Sequence, residues 1–193
     1  MMSVRHKVSG KEFNQMWQRL ISLLVLLSVI VGPQTQAAQL DEKEELRPSS
    51  LSVDAASVRE CFVQMGQEGA GSCIAEAANL CQESDGGSTT LGIVACLQAE
   101  TEVWDDLLNA QYLELRDSMR EQDQEWPELG ISRAKALRDV QRAWIAFRDA
   151  ECGYAYARYQ GGTIRNVVAA SCVLEETARR ALTLKAFLHE GNM

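Results

Sequence analysis

"IVACLQAETEVWDDLLNAQYLELRDSM", residues 93–119, is the stretch on which the fold turns. Its apolar and half-apolar positions Ile93, Leu97, Thr101, Trp104, Leu108, Tyr112, Leu115 and Met119 recur in steps of three and four, with charges between them. That spacing keeps one stripe on one side of an α-helix and predicts a single helix of about seven turns. "DQEWPELG" (123–130) ends it, because Pro127 has no amide hydrogen to continue the ladder and Gly130 can take the turn.

Working outward toward the C-terminus, Ser132 can cap a fourth helix on which Leu137, Val140, Trp144, Arg148, Cys152 and Ala155 share a face. "YQGGT" (159–163) breaks the chain, and Val167, Ala170, Leu174, Thr177, Ala181, Leu184 and Leu188 mark a fifth helix. Toward the N-terminus, Asp54 can cap a short helix to about Gln67, ended by "GQEGAGS" (66–72). Ser72 can cap another to about Glu83, ended by "SDGGS" (84–88). Strand-like alternation is absent beyond a few positions. The expected fold is all-α: a disulfide-stapled antiparallel helical bundle of about five helices, two short and three longer.

The first 37 residues read as a signal peptide. Arg5, Lys7, Lys11 and Arg19 precede the apolar run "LISLLVLLSVIV" (20–31), too short to span a bilayer comfortably, and Thr35 and Ala37 permit cleavage after Ala37. Met16 is an alternative start to Met1. No cysteine follows the run closely, so a lipid anchor is not expected, nor is a membrane span once the signal is cleaved. Residues 38–52, polar and carrying Pro48, read as a flexible linker, 53–80 as an N-terminal helical hairpin and 81–190 as the main helical domain.

Cleavage removes four basic residues and one acidic residue, so 15 basic and 26 acidic remain, a net −11 against −8 for the whole chain. Such a charge disfavours nucleic acid and anionic membranes and suits a basic protein partner, whose encounter it would accelerate. All six cysteines, Cys61, Cys73, Cys81, Cys96, Cys152 and Cys172, follow the leader. An even number behind a signal peptide implies three disulfides and a periplasmic or secreted location. Fifteen connectivities are open. Neighbour pairing, Cys61–Cys73, Cys81–Cys96 and Cys152–Cys172, is expected because each pair brackets a Gly-rich turn, and each loop closed would contribute roughly 3 kcal/mol.

Catalysis is poorly provided for. Beyond the leader the one histidine is His189, near the C-terminus, which disfavours Ser-His and Cys-His nucleophiles and histidine-rich metal sites, so no metal or cofactor is expected. Phosphate-binding and nucleophile-elbow motifs are absent. Glu100, Glu102, Asp105 and Asp106 cluster around Trp104, and a hydrolase acting on peptidoglycan through two facing carboxyls is the enzymatic alternative. On the fourth helix Gln141, Trp144, Arg148 and Cys152 share a face. An arginine there needs a carboxylate, so Arg148 is expected to pair with Glu100 or Asp105, with Gln141 and Asn109 adding hydrogen bonds. A binding wall is the other reading of this face.

"CLQAETEVWDDLLNAQY" (96–112), "LRDVQRAWIAFRDAEC" (137–152), "GGT", a further cysteine and "ETARRAL" (176–182) resemble the LprI-type lysozyme-inhibitor family of small secreted bacterial proteins, over about residues 81–188. The matching residues are Trp104, Asp105, Asn109, Tyr112, Gln141, Trp144, Arg148, Gly161, Gly162, Thr177 and Arg179, expected to be mainly structural. The resemblance implies an exported helical domain and, from its namesake activity, inhibition of a lysozyme. Cys61 and Cys73 are additions to the family's four-cysteine pattern.

The expected function is therefore non-catalytic protein binding, with inhibition of a c-type lysozyme by an acidic loop that occludes a basic cleft as its sharpest form. A periplasmic structural or stress-related interaction module with another partner is the alternative. Three loops could carry the contact: 83–89 with Asp85, 122–130 with Asp123, Glu125 and Trp126, and 159–163. Trp126 is either an exposed anchor beside Pro127 or folded onto the bundle.

Overall fold

The structure, a computed structural model, describes residues 51–65 and 73–191. All of them belong to the compact unit Arg47–Met193. The expected signal peptide and nearly all of the expected linker lie outside the described residues, as does Ser72. Among the described residues five α-helices follow one another: α1 (Ala55–Gln64), α2 (Glu76–Gln82), α3 (Thr90–Glu125), α4 (Arg133–Ala157) and α5 (Ile164–Gly191). A single 3-10 turn, Pro127–Leu129, lies between α3 and α4.

At about 1.5 Å per residue, the 36 residues of α3 extend roughly 54 Å. The helix begins at Thr89, whose hydroxyl accepts from Gly92 N at 2.9 Å. It ends as expected at Pro127, and Gly130 takes the left-handed conformation with φ 63°. The predicted stripe is the buried one: Leu97, Trp104, Leu108 and Leu115 are core, with Ile93, Tyr112 and Met119 packed at its margin. The α5 stripe also holds, with Leu174, Thr177, Ala181 and Leu184 fully buried. Thus α3 and α5 build most of the core between them.

The end of α4 meets the start of α5 at Cys152–Cys172, while Gln141, earlier on α4, meets Arg180, later on α5. The two helices therefore run antiparallel. The α4 face is rotated from expectation. Leu137, Gln141 and Cys152 are buried, but Val140 is 47% exposed. Docking through Gln141 and Cys152 turns Val140 outward, onto a line with Phe147 and Tyr154, both exposed.

All three expected disulfides form: Cys61–Cys73, Cys81–Cys96 and Cys152–Cys172, with Cα–Cα distances of 5.9, 5.7 and 5.5 Å. The middle one staples α2 to α3 across a tight turn. A Cβ on Gly92 would lie 2.0 Å from the Gly86 carbonyl oxygen, so only glycine lets the turn lie against the start of α3. Asp54 caps α1 as expected, accepting from Ala56 N at 2.9 Å. At the other end of α1, the Lys185 ammonium of α5 donates to the carbonyl oxygens of Phe62, Val63 and Met65 at 2.6, 2.9 and 2.9 Å. These are carbonyls that a helix end leaves without intrahelical partners.

Candidate partner-binding site

Two buried polar centres fix the helices that carry the exposed loops. The first is Glu100 on α3, which is 0% exposed. Its carboxylate accepts from Ala75 N at 2.8 Å, Ala78 N at 2.7 Å and the Trp104 indole N–H at 3.0 Å. Helix α2 starts at Ala75 in the left-handed conformation without a side-chain cap of its own. Glu100 supplies that cap from another helix, where free N–H groups and the helix dipole favour a negative charge. Trp104, held by the same carboxylate, packs edge-on against Phe62 at 6.1 Å between ring centroids.

This corrects the expected pairing of Arg148. Glu100 is occupied by α2 and Trp104, and Asp105 accepts from Asn109 at 2.9 Å within α3. Arg148 instead pairs with its neighbour Asp149 at 2.9 Å and lies over the Trp144 ring at 5.2 Å. Its side chain is 21% exposed, so it is not the buried cation of the bundle. That cation is Arg180 of α5, 9% exposed, whose Nε donates to Gln141 Oε1 at 2.9 Å and whose guanidinium lies 5.8 Å from the Trp144 centroid. Trp144 therefore meets two arginines. Arg180 Nη2 and the Thr177 hydroxyl are buried without a partner among the described residues. Burial holds the Arg180 guanidinium below its ordinary pKa. Arg180 was findable from the sequence, since it sits three residues after Thr177 and four before Leu184, on the border of the α5 stripe. Arg179, the residue singled out instead, is exposed and pairs with Glu175 and Glu176 at 2.7 and 3.1 Å.

The carboxylates around Trp104 do not assemble a hydrolytic pair. Glu100 is buried as a cap, Asp105 is bonded to Asn109, and Glu102 and Asp106 are exposed. Among the described residues no group of histidine, cysteine and acidic side chains could hold a metal ion. No described helix is long and apolar enough to cross a membrane.

The three candidate loops have different characters. In the α2–α3 turn, Asp85 is exposed beside Gly86, which has φ 77°. In the α4–α5 turn, Gly161 has φ 78°, and a Cβ on Gly162 would touch only the Ile164 side chain, at 3.4 Å. The α3–α4 connection offers the largest exposed apolar surface of the three. Trp126, Leu129 and Ile131 are 49, 50 and 69% exposed, with Glu125 and Glu128 exposed among them. Trp126 is thus about half exposed and available at the surface.

Asp123, which the sequence offers as a contact residue, braces this connection from behind. Its carboxylate accepts from Ser132 Oγ at 2.9 Å, Arg133 N at 2.8 Å and Ala134 N at 3.1 Å, with the Arg133 guanidinium at 3.7 Å. Desolvation opposes its ionisation, but these hydrogen bonds and the adjacent cation outweigh it and hold the carboxyl below 3.8. Ser132 Oγ in turn accepts from Lys135 N at 3.1 Å, the predicted cap of α4.

A sequence profile described as lysozyme inhibitor LprI matches residues 81–184. The uncharacterised protein R02472 of Rhizobium meliloti strain 1021 is similar at 29% identity over 99 residues, covering 50% of this chain and 71% of that protein. No solved structure matches. Helix α1, the Cys61–Cys73 disulfide and the Ala75 and Ala78 donors to Glu100 precede the matched region, which contains Glu100 itself, α3, α4, the Arg180 centre and most of α5. The chain belongs to the lysozyme inhibitor LprI family.

Proposed function

We propose that this domain is exported and inhibits a c-type lysozyme by inserting the α3–α4 connection into the enzyme's basic cleft. One observation carries the reading: an apolar tip, Trp126, Leu129 and Ile131, flanked by Glu125 and Glu128 and held at its base by Asp123. An exposed aromatic within an acidic rim suits a cleft lined by positive charge. A connection braced by Asp123 and the Pro127–Leu129 turn loses little conformational freedom on binding. The acidity of the chain adds long-range attraction to a basic enzyme. Family membership and the disulfides support protein binding outside the cytoplasm; the partner and the loop are the proposal.

The test is a lysozyme inhibition titration with oxidised chain lacking residues 1–37, at low and physiological salt. Stoichiometric inhibition that weakens with salt is expected. Trp126→Ala should weaken it about tenfold or more, and Glu125→Lys with Glu128→Lys should weaken it most at low salt. Asp123 is unsuited to charge reversal, because reversing it would break the brace. Inhibition that survives both changes moves the contact to another loop, and no inhibition at micromolar folded protein removes lysozyme as the partner.

A second reading, an interaction module for another protein, is favoured by the outer face of α4. Val140, Phe147 and Tyr154 are exposed at seven-residue intervals, with the exposed alanines 136, 143, 150 and 157 between and beside them. That is the spacing of a helix seam. Phe147→Ser would leave lysozyme inhibition intact under the first reading and abolish capture of the other partner under the second.

A further inference from the structure

The chain is acidic, but one of its grooves is basic. Between the C-terminal half of α3 and the first turns of α4 lies an open groove of about 710 Å³, walled by Tyr112, Arg116, Arg120, Lys135 and Arg138. Four cations thus share one wall in a chain of net charge −8. The one carboxylate on that wall, Asp123, is already taken up by Ser132, the start of α4 and Arg133. Asp117 and Asp139, outside the lining, offset part of the charge. Arg116 and Arg120 share Asp117, at 2.9 and 3.1 Å, and Lys135 pairs with Asp139, which also feels Arg138. Among the described residues, Asp117 and Asp139 thus serve four cations, so the ion pairs there balance about half the positive charge on the wall.

We infer that this groove binds a multivalent oxyanion, a ligand carrying two or more phosphate or carboxylate groups. Guanidinium groups on both helices can engage such groups bidentately, and the exposed ion pairs within the wall are weak enough to be exchanged for a ligand's oxygens. A concave wall of one charge sign concentrates counterions in front of it. The groove is far larger than a single phosphate needs, and Tyr112 gives it an aromatic patch between the charges. Asp123 and Ser132 also line the groove, so it borders the α3–α4 connection. The cations that would hold the anion lie on α3 and α4 outside that connection, and the inference does not depend on the lysozyme reading.

The experiment is calorimetric titration of the oxidised full chain with tripolyphosphate and, separately, with citrate, at low and physiological salt. One-to-one binding that weakens with salt is expected. The pairs Arg116→Gln with Arg120→Gln and Lys135→Gln with Arg138→Gln should each lower the affinity about tenfold or more, with helical circular dichroism unchanged. Tighter binding of tripolyphosphate assigns the groove to phosphates and tighter binding of citrate to carboxylates; either supports the inference. No binding at millimolar anion, or affinity retained in both double variants, overturns it.

Discussion

Glu100 and Arg180 are both charged side chains inside the bundle, 0 and 9% exposed, yet their surroundings differ. Glu100 accepts three hydrogen bonds, two from the backbone that starts α2 and one from Trp104. Among the described residues Arg180 has one acceptor, Gln141, and the face of Trp144, with one guanidinium nitrogen left over. The first is a satisfied charge that another helix depends on. The second is an under-satisfied charge whose desolvation is only partly offset. A buried ion stabilises a fold in proportion to how completely its neighbours replace water, so the two centres should respond oppositely to mutation.

The largest effect should follow Glu100→Ala. It leaves two backbone N–H groups and the Trp104 indole without an acceptor, and should cost about 3 kcal/mol or more in chemical denaturation. A loss below about 1 kcal/mol would mean that water replaces the carboxylate, and the contrast between the centres would collapse. Removing Cys152 and Cys172 together should cost about 3 kcal/mol, because the disulfide restrains a loop of separation 20 in the unfolded chain and joins α4 to α5.

Smaller and more discriminating effects are expected at the Arg180 centre. Gln141→Ala removes its one hydrogen-bond acceptor and should cost about 1–3 kcal/mol. Arg180→Met should be near neutral or stabilising, because it removes a buried cation and keeps the packing against Trp144. If Arg180→Met instead costs as much as Glu100→Ala, then Arg180 has a counterion in solution and the two centres are alike. Arg148→Ala, at a side chain that pairs with the exposed Asp149 and lies over Trp144, should cost less than about 1 kcal/mol. At the brace, the Asp123 carboxyl has a folded pKa below its ordinary 3.8. Its contribution is therefore present above that value and lost as pH falls through the depressed folded pKa. Asp123→Asn should flatten the acid side of the stability profile, which thermal melts between pH 2 and pH 5 would read.

Helices α3 and α5 were legible because a repeating apolar stripe depends only on neighbours three and four residues away. The caps at Asp54 and Ser132 and the stop at Pro127–Gly130 were legible for the same reason, since each acts within a few residues of itself. The same logic misplaced Val140: a stripe read from α4 alone is uncertain by one position, and docking through Gln141 and Cys152 rotated it outward. Of the residues proposed to meet the partner, the sequence marked Glu125 and Trp126 by their place in an acidic turn. It could not show that Asp123 beside them faces inward to α4.

By itself the sequence determined an all-α chain and its helix order, because periodicity and caps are local properties. It favoured neighbouring disulfides among fifteen connectivities, and the structure chose them. Only the tertiary structure decided which charge lies inside. Glu100 reaches a helix start 22 to 25 residues earlier, and Arg180 reaches a glutamine 39 residues earlier. Both contacts depend on the rotation and register of helices against one another. Those are set by the summed packing of the whole core, which no short window of sequence contains.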